Sequence, residues 1–484
     1  MHALVLLVAI VAEDPVVLRN APRDDAPAQA TLWRGDWLEV RGETAGFLKV
    51  YDHRHERPGY VRPTVVRIHR LDEASAPELG SVVRFLRDAG GAESLGIGYA
   101  ALFLRAAPAG ADATEIFAAI GTMADRLARR ASGRKTAARD SALAGHLEVA
   151  ASYGVRFESV DGDGDEGAAR LCYDGEAWSR VLATPGAPPL EKARAALFLA
   201  GTRCQPALLP PAKERALNDA RVQALDDVDP AALPAWVGGR VRLARAEAFA
   251  WRAFDEARAG VAEGAAKSEV AAVKELALTD RGVLAPEDLA RYDEAAMRVA
   301  ASRWATEPPS RDGRKRGVAI TTAPRAPGET CVRVVATPSY SGGAAANDNG
   351  KPLAERCTYG VVWSSALRWA PSSTVATLAV QPLAAWTELW VVRRDDAGAW
   401  TIETLAPATT EPEIGYVESA GFSPDGARLL VVREARVAGR ATRKFQVLAA
   451  PTLAVEIQCG DVTKLSAFKR WQAAWWKAGT LALR

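Results

Sequence analysis

The chain is poor in the residues that hold metals and run redox chemistry. Its 484 residues include five cysteines and five histidines, and no Cys-x-x-Cys occurs. Zinc ribbons and thioredoxin-type exchange therefore have no support. No apolar run reaches the roughly 20 residues that a membrane-spanning helix needs. Net charge is only +2, so no overall field draws nucleic acid or an anionic membrane surface. Disorder is excluded as well: apolar residues make up 49% and charged residues 25%, the values of ordinary globular protein. The length suggests two to four domains, each long enough to bury a core.

What is present begins with an apolar run, Met1 to Ala12, just before Glu13-Asp14. It has the length of a signal-peptide core with a small residue at the cut, although no Lys or Arg precedes it. A cleavable leader and a periplasmic or otherwise exported protein are expected. The alternative is a first β-strand in a cytoplasmic protein. The cysteines suit export. Cys331 and Cys357 flank a loop rich in Gly, Ala and Asn, and Cys172 and Cys204 flank two expected helices. Either disulfide would close a loop of roughly 27–33 residues and contribute about 3 kcal/mol in the chain-entropy model. Cys459 is left over. Sequence alone does not decide pairing, and five buried thiols are the alternative.

Residues 13–67 alternate short strands with turns. The segment Leu18-Arg-Asn-Ala-Pro22, the turn glycine Gly35, the pair Gly46-Phe47 and Gly59-Tyr60-Val61 resemble the bacterial SH3 family. That resemblance covers about 50 residues. It implies a small β-barrel, export, and binding of cell-wall material or peptide. Taken whole, the chain is similar to uncharacterised proteobacterial proteins that carry such a domain. Trp33, Trp37, Tyr51 and Tyr60 are the candidate ligand-binding residues, because aromatics line grooves that read extended peptides. Two or three of them could equally fill a small core.

From 70 to 305 the apolar spacing changes to three and four, and an all-α domain of irregular helical hairpins is expected. Ile116, Ile120, Met123 and Leu127 share one face, and 235–259 reads as a long central helix. Residues 306–317 form a linker of proline, glycine and charge. From 318 to 484 the chain is β. A 53-residue repeat runs through it, opening on Trp369-Ala-Pro-Ser-Ser373, Phe422-Ser-Pro-Asp-Gly426 and Trp475-Trp-Lys-Ala-Gly479. The middle copy resembles the repeat of TolB-type and WD40-like propellers, which implies an antiparallel, propeller-like domain. Three units are too few to close a ring on their own.

Catalytic motifs do not survive inspection. Asp161, Asp163 and Asp165 imitate the start of a calcium loop, but Glu166 replaces the turn glycine. Ser423 lies between glycines like a nucleophile, yet a strand follows where a helix is required. His53 and His55 lack further ligands. Glu93-Ser94 resembles the start of a lytic transglycosylase motif, without that family's downstream element; a first-turn helix residue is the simpler reading. The basic cluster Arg311, Arg314, Lys315 and Arg316 has no interleaved aromatics, as a soluble linker would not. Trp471, Trp475 and Trp476 read as inter-sheet packing.

The expectation is a multidomain α+β protein: an SH3-like barrel, a helical-hairpin domain and a β-repeat domain. It would bind cell-wall material or a peptide or protein ligand, without cofactor, metal or nucleic acid. A wall hydrolase working from the helical domain, through Glu93, is the first alternative. A cytoplasmic interaction protein is the second.

Overall fold

The computed structural model describes residues 6–132, 137–160, 170–205, 209–307, 314–315, 317–337, 351–395, 397–409, 412–437 and 439–479. The chain divides into two compact units, Met1–Pro211 and Ala212–Arg484.

The first unit opens with strands β1 (Leu7–Val11), β2 (Val16–Arg19), β3 (Ala28–Leu32), β4 (Trp37–Thr44), β5 (Phe47–Asp52), β6 (Arg57–Val61) and β7 (Val66–Arg70). They form one antiparallel sheet in the order β3-β2-β6-β5-β4-β1-β7. Alternation sets the faces. Leu38, Leu48, Val50 and Val61 point into one core, while Trp37, Glu39, Lys49 and Tyr51 take the opposite side. Ala45 and Gly46 both have positive φ at the β4–β5 turn, as a tight hairpin of primed type requires.

Two expectations change here. Residues 7–11, read as part of a leader, form an interior strand between β4 and β7. Val8 and Ile10 pack toward the helices, and Ala9 and Val11 toward the sheet's own core. A strand buried on both faces reads as a continuous apolar run, which is why it imitates a leader. Cutting after Ala12 would take β1 out of the sheet. The expected small barrel is instead an open sheet of seven strands. Its hydrogen bonding runs from edge strand β3 to edge strand β7, and no pair closes it among the described residues.

Helices α1 (Ala76–Arg87), α2 (Glu93–Ala106), α3 (Thr114–Ala131), α4 (Ala137–Ser152), α5 (Glu176–Ala183) and α6 (Pro189–Leu199) complete this unit, with a hairpin of β8 (Phe157–Val160) and β9 (Arg170–Tyr173). On α3 the expected face holds: Ile116, Met123 and Leu127 are buried and Ile120 packs against them. A disulfide joins Cys172 on β9 to Cys204 beyond α6.

The second unit starts with α7 (Pro211–Asp226), α8 (Ala235–Arg258), α9 (Ala262–Ala277) and α10 (Pro286–Ser302). The helices expected as one domain over 70–305 are therefore shared between the two units. Strands follow: β10 (Arg314–Lys315), β11 (Val318–Pro324), β12 (Thr330–Ala336), β13 (Ala354–Thr358), β14 (Val361–Trp369), β15 (Val375–Leu383), β16 (Trp386–Arg394), β17 (Trp400–Leu405), β18 (Ile414–Phe422), β19 (Arg428–Val437), β20 (Arg440–Ala449) and β21 (Val455–Cys459). Two short helices end the described chain, α11 (Ser466–Trp471) and α12 (Ala474–Gly479).

These strands make three antiparallel meanders of four: β10–β13, β14–β17 and β18–β21. A short parallel contact, Trp386 and Thr387 beside Gly415 and Tyr416, links the last two. The meanders stack face to face. Val332, Val334, Leu378 and Trp390 fill the first interface. Val391, Val417, Leu429 and Val431 fill the second. Phe468 of α11 and Trp476 of α12 then cover the outer face of β18–β21. A disulfide ties Cys331 on β12 to Cys357, its direct partner on β13; Cys459 stays free.

The repeat is thus visible in two of its three copies. β14 and β18 begin 53 residues apart, as do β15 and β19. The third copy departs from the expectation. Trp475 to Gly479 lie in α12, because Trp476 is buried against the last meander instead of opening a fourth sheet. The strand that a third copy would place at Leu481–Leu483 lies outside the described residues.

Candidate functional site

Three of the four candidate aromatics share the outward face of β4, β5 and β6. Residues 37, 39 and 41 alternate onto that face from β4, where Glu39 pairs with Tyr51 on β5. Lys49 pairs with Tyr60 on β6. At the β1 end the helices cover the face, since Ile10 pairs with Trp37 and packs into the helical core. Beyond Trp37 the cover stops.

There a row of rings and cations is built. His53 stacks on Trp37, with centroids 5.3 Å apart and planes at 14°. Tyr51 meets the same imidazole edge-on at 4.9 Å. The Arg41 guanidinium lies 4.2 Å from the Tyr51 ring centre, and Arg105 of α2 lies 4.9 Å from that of Trp37. Glu39 ties the row together, accepting hydrogen bonds from Arg41 Nε at 2.9 Å and pairing with His53 Nε2 at 2.9 Å. The Arg41 hydrogen bond, helped by His53, holds the Glu39 carboxyl below its usual range. The His53 side chain is 45% exposed, so the row is open to solvent. Flat rings with charged edges suit an extended ligand that brings both apolar and polar groups.

Tyr60 is on the same face, opposite Lys49 and Arg19. Trp33 is not. Its indole lies against the backbone of Gly145 on α4, where a Cβ would come within 2.4 Å of the ring. It also meets His146 edge-on. His146 is buried and pairs through Nε2 with Asp14 at 2.9 Å. Burial pushes the Asp14 carboxyl up, but hydrogen bonds from His146 and Arg34 outweigh it and lower the pKa to about 2. Trp33 therefore packs between the β3–β4 turn and α4, apart from the row.

The other candidates separate. His53 belongs to the aromatic row, while His55 Nδ1 pairs with buried Asp52 at 2.5 Å. The two histidines serve different partners. Glu93 is buried at the start of α2, where Arg126 Nε donates to it at 2.6 Å and Arg130 forms a second ion pair. Burial pushes its carboxyl up, yet hydrogen bonds from the Gly91 N–H and Arg126, with the Arg130 charge, hold it below its usual range. A carboxylate clamped in its ionised form is a poor proton donor to a leaving group. Ser423 serves its turn, donating to Asp425 Oδ1 at 2.5 Å. Asp161, Asp163, Asp165, Arg311 and Arg316 lie outside the described residues. Arg314 and Lys315 form β10.

Sequence reasoning missed Glu39, Arg41 and Arg105. The first two were within reach, since alternation from Trp37 along β4 places them on its face. Arg105 was not, because only the packing of α2 brings it to the sheet. No family model, curated protein or solved structure matches the chain.

Proposed function

We propose that the protein is a non-enzymatic binding and scaffold protein of the bacterial cell envelope. Its N-terminal sheet, read as an SH3-like module, takes cell-wall material or an extended peptide. Its C-terminal sheets, read as propeller-like blades, provide a protein-binding surface. The observation that carries this reading is the exposed row Arg105–Trp37–His53–Tyr51–Arg41 on a face that the helices leave open. Two disulfides support an oxidising compartment, where such bonds persist.

The test is retention on purified peptidoglycan and on a peptide array, using the full chain. Tyr51→Ala, at a half-exposed ring, is expected to weaken retention about tenfold, as loss of an interface aromatic does. Retention that is absent, or unchanged by Tyr51→Ala and Trp37→Ala together, removes the N-terminal half of the reading. Activity that clears peptidoglycan in a gel and persists in Glu93→Gln would point to an enzyme working through other groups.

A further inference from the structure

The three aromatic residues that open the 53-residue units line one cavity. Trp369, Phe422 and Trp475 meet there, with Trp471 as a fourth ring and Arg368 in the wall, around about 430 Å³. This is within the roughly 300–1,000 Å³ of ordinary ligand sites. Trp369 and Phe422 end β14 and β18 at equivalent positions, and Trp475 arrives on α12. Thus the third copy, which makes no strand in the described chain, still delivers its aromatic to the place where the first two meet. Gly421 keeps the wall close. Its φ is +140°, and a Cβ there would lie 2.5 Å from the Trp471 carbonyl oxygen.

The chemistry of the wall narrows the ligand. Arg368 carries no free charge: Nη2 donates to Glu307 at 2.7 Å and Nη1 to the Ser365 carbonyl at 2.5 Å. Its guanidinium lies 4.7 Å from the Trp475 ring centre. An anion would find its partner taken, and a cation would meet a cation. The polar side chains of the wall are indoles and one guanidinium, which donate hydrogen bonds and accept none. The other side chains there are apolar. A sugar, whose hydroxyls donate as well as accept, finds no side-chain acceptor. A proline-rich segment fits. Each proline offers an apolar ring and a carbonyl acceptor and lacks the N–H. The polyproline II helix also holds these groups outward at little entropic cost.

We propose that this cavity binds a proline-rich segment of a partner protein in the polyproline II conformation, with aromatic rings of the wall stacking on proline rings and the Trp471 and Trp475 indoles donating to backbone carbonyls. The proposal rests on reading the C-terminal sheets as a protein-binding surface, and it does not involve the N-terminal aromatic row. The experiment is titration of the full-length protein with an oligoproline peptide, followed by tryptophan fluorescence and calorimetry. Saturable binding is expected, weakened about tenfold in Trp471→Ala, as for a central interface ring. Trp471→Phe keeps a ring and removes the donor, so it should fall between the two. Tyr51→Ala should leave peptide affinity unchanged, which separates this site from the N-terminal one. Absence of saturable binding to the wild type overturns the proposal, and so does affinity indifferent to both Trp471 variants. Binding of a chitin oligosaccharide that Trp471→Ala abolishes, without peptide binding, overturns the ligand class while keeping a ligand site.

Discussion

The meanders β14–β17 and β18–β21 carry the same turn at the same register. Trp369 pairs with Ala376 where Phe422 pairs with Leu429. The Ala370 N–H bonds the Val375 carbonyl at 2.8 Å, and the Ser423 N–H bonds the Arg428 carbonyl at 3.0 Å. Ser372 Oγ accepts from the Thr374 N–H as Asp425 Oδ1 accepts from the Ala427 N–H. One buried side-chain pair also recurs. Trp363 donates to Gln381 at 3.0 Å, and Tyr416 donates to Glu434 at 2.8 Å. Backbone geometry is thus kept while the side-chain chemistry has changed.

The change is largest where each first strand meets the segment after α10. In one meander, neutral Ser365 donates to the Trp304 carbonyl at 2.8 Å. At the equivalent position of the other, buried Glu418 forms an ion pair with buried Arg303 at 2.6 Å and accepts from Trp476 Nε1. A hydrogen bond and an ion pair fill the same place, but they fail differently. Removing Ser365 leaves the Trp304 carbonyl its bond from the Glu307 N–H; removing Glu418 leaves a buried charge. Glu418→Ala is therefore expected to cost about 3–5 kcal/mol. Ser365→Ala is expected to cost only about 1 kcal/mol. Chemical denaturation of both variants measures the gap, and equal losses would mean that Arg303 reaches solvent.

Glu269 sharpens the contrast, because Glu418 takes the Arg303 ion pair while Glu269 is left with a hydroxyl. Ser302 donates to it at 2.6 Å. Burial raises its pKa from 4.5 to about 8, more than the Ser302 hydrogen bond and the Arg303 charge offset. The unfolded carboxyl ionises near 4.5 and the folded one near 8, so unfolding releases a proton between those values. The stability linked to this group is complete below the lower value and declines as pH rises toward the upper one. Glu269→Gln should remove that decline, gaining most over wild type at and above pH 8 and nothing below 4.5. Melting curves across this range check it; parallel curves for the two proteins would place the Glu269 proton loss near its ordinary pH.

The smallest effects are expected at the turns. Ser373 and Gly426 occupy equivalent left-handed positions, with φ of 60° and 72°. Ser373→Gly should stabilise by about 0.5 kcal/mol, since relief of the left-handed serine is partly offset by the freedom of glycine in the unfolded chain. Gly426→Ala should cost about 1–2 kcal/mol from the backbone alone. It should cost somewhat more in practice, because the added Cβ would lie 2.8 Å from the Ser372 backbone nitrogen. Paired denaturation curves would show opposite signs; the same sign for both would break the equivalence of the turns.

Much of this architecture was legible, and the failures have physical causes. The repeat was visible because strand, turn and strand occupy constant lengths, and the Phe422-Ser-Pro-Asp-Gly426 turn has a specific residue at each step. The third copy misled because Trp475 and Trp476 satisfy the same spacing, yet burial of Trp476 folds them into a helix. Residues 7–11 are ambiguous for a different reason. Five apolar residues have no period that separates a leader from a strand buried on both faces, and the strand is seen only in its pairing with β4 and β7. At the N-terminal row, alternation along β4 and β5 puts Trp37 and Tyr51 on one face. Trp33 sits in a turn, where alternation has no meaning, and it went to α4.

The sequence by itself determined the class of most segments, though not the β8–β9 hairpin inside the helical stretch or the helices α11 and α12, together with the 53-residue period and the turn chemistry. These are local properties, governed by backbone sterics and side-chain spacing over a few residues. Tertiary structure alone decided that the first strand lies inside the sheet, that the helices divide between two units, and that Arg105 reaches Trp37. It also decided that three aromatics spread over more than a hundred residues of chain line a single cavity. Such contacts depend on which buried surfaces find each other, and no window of sequence contains both partners.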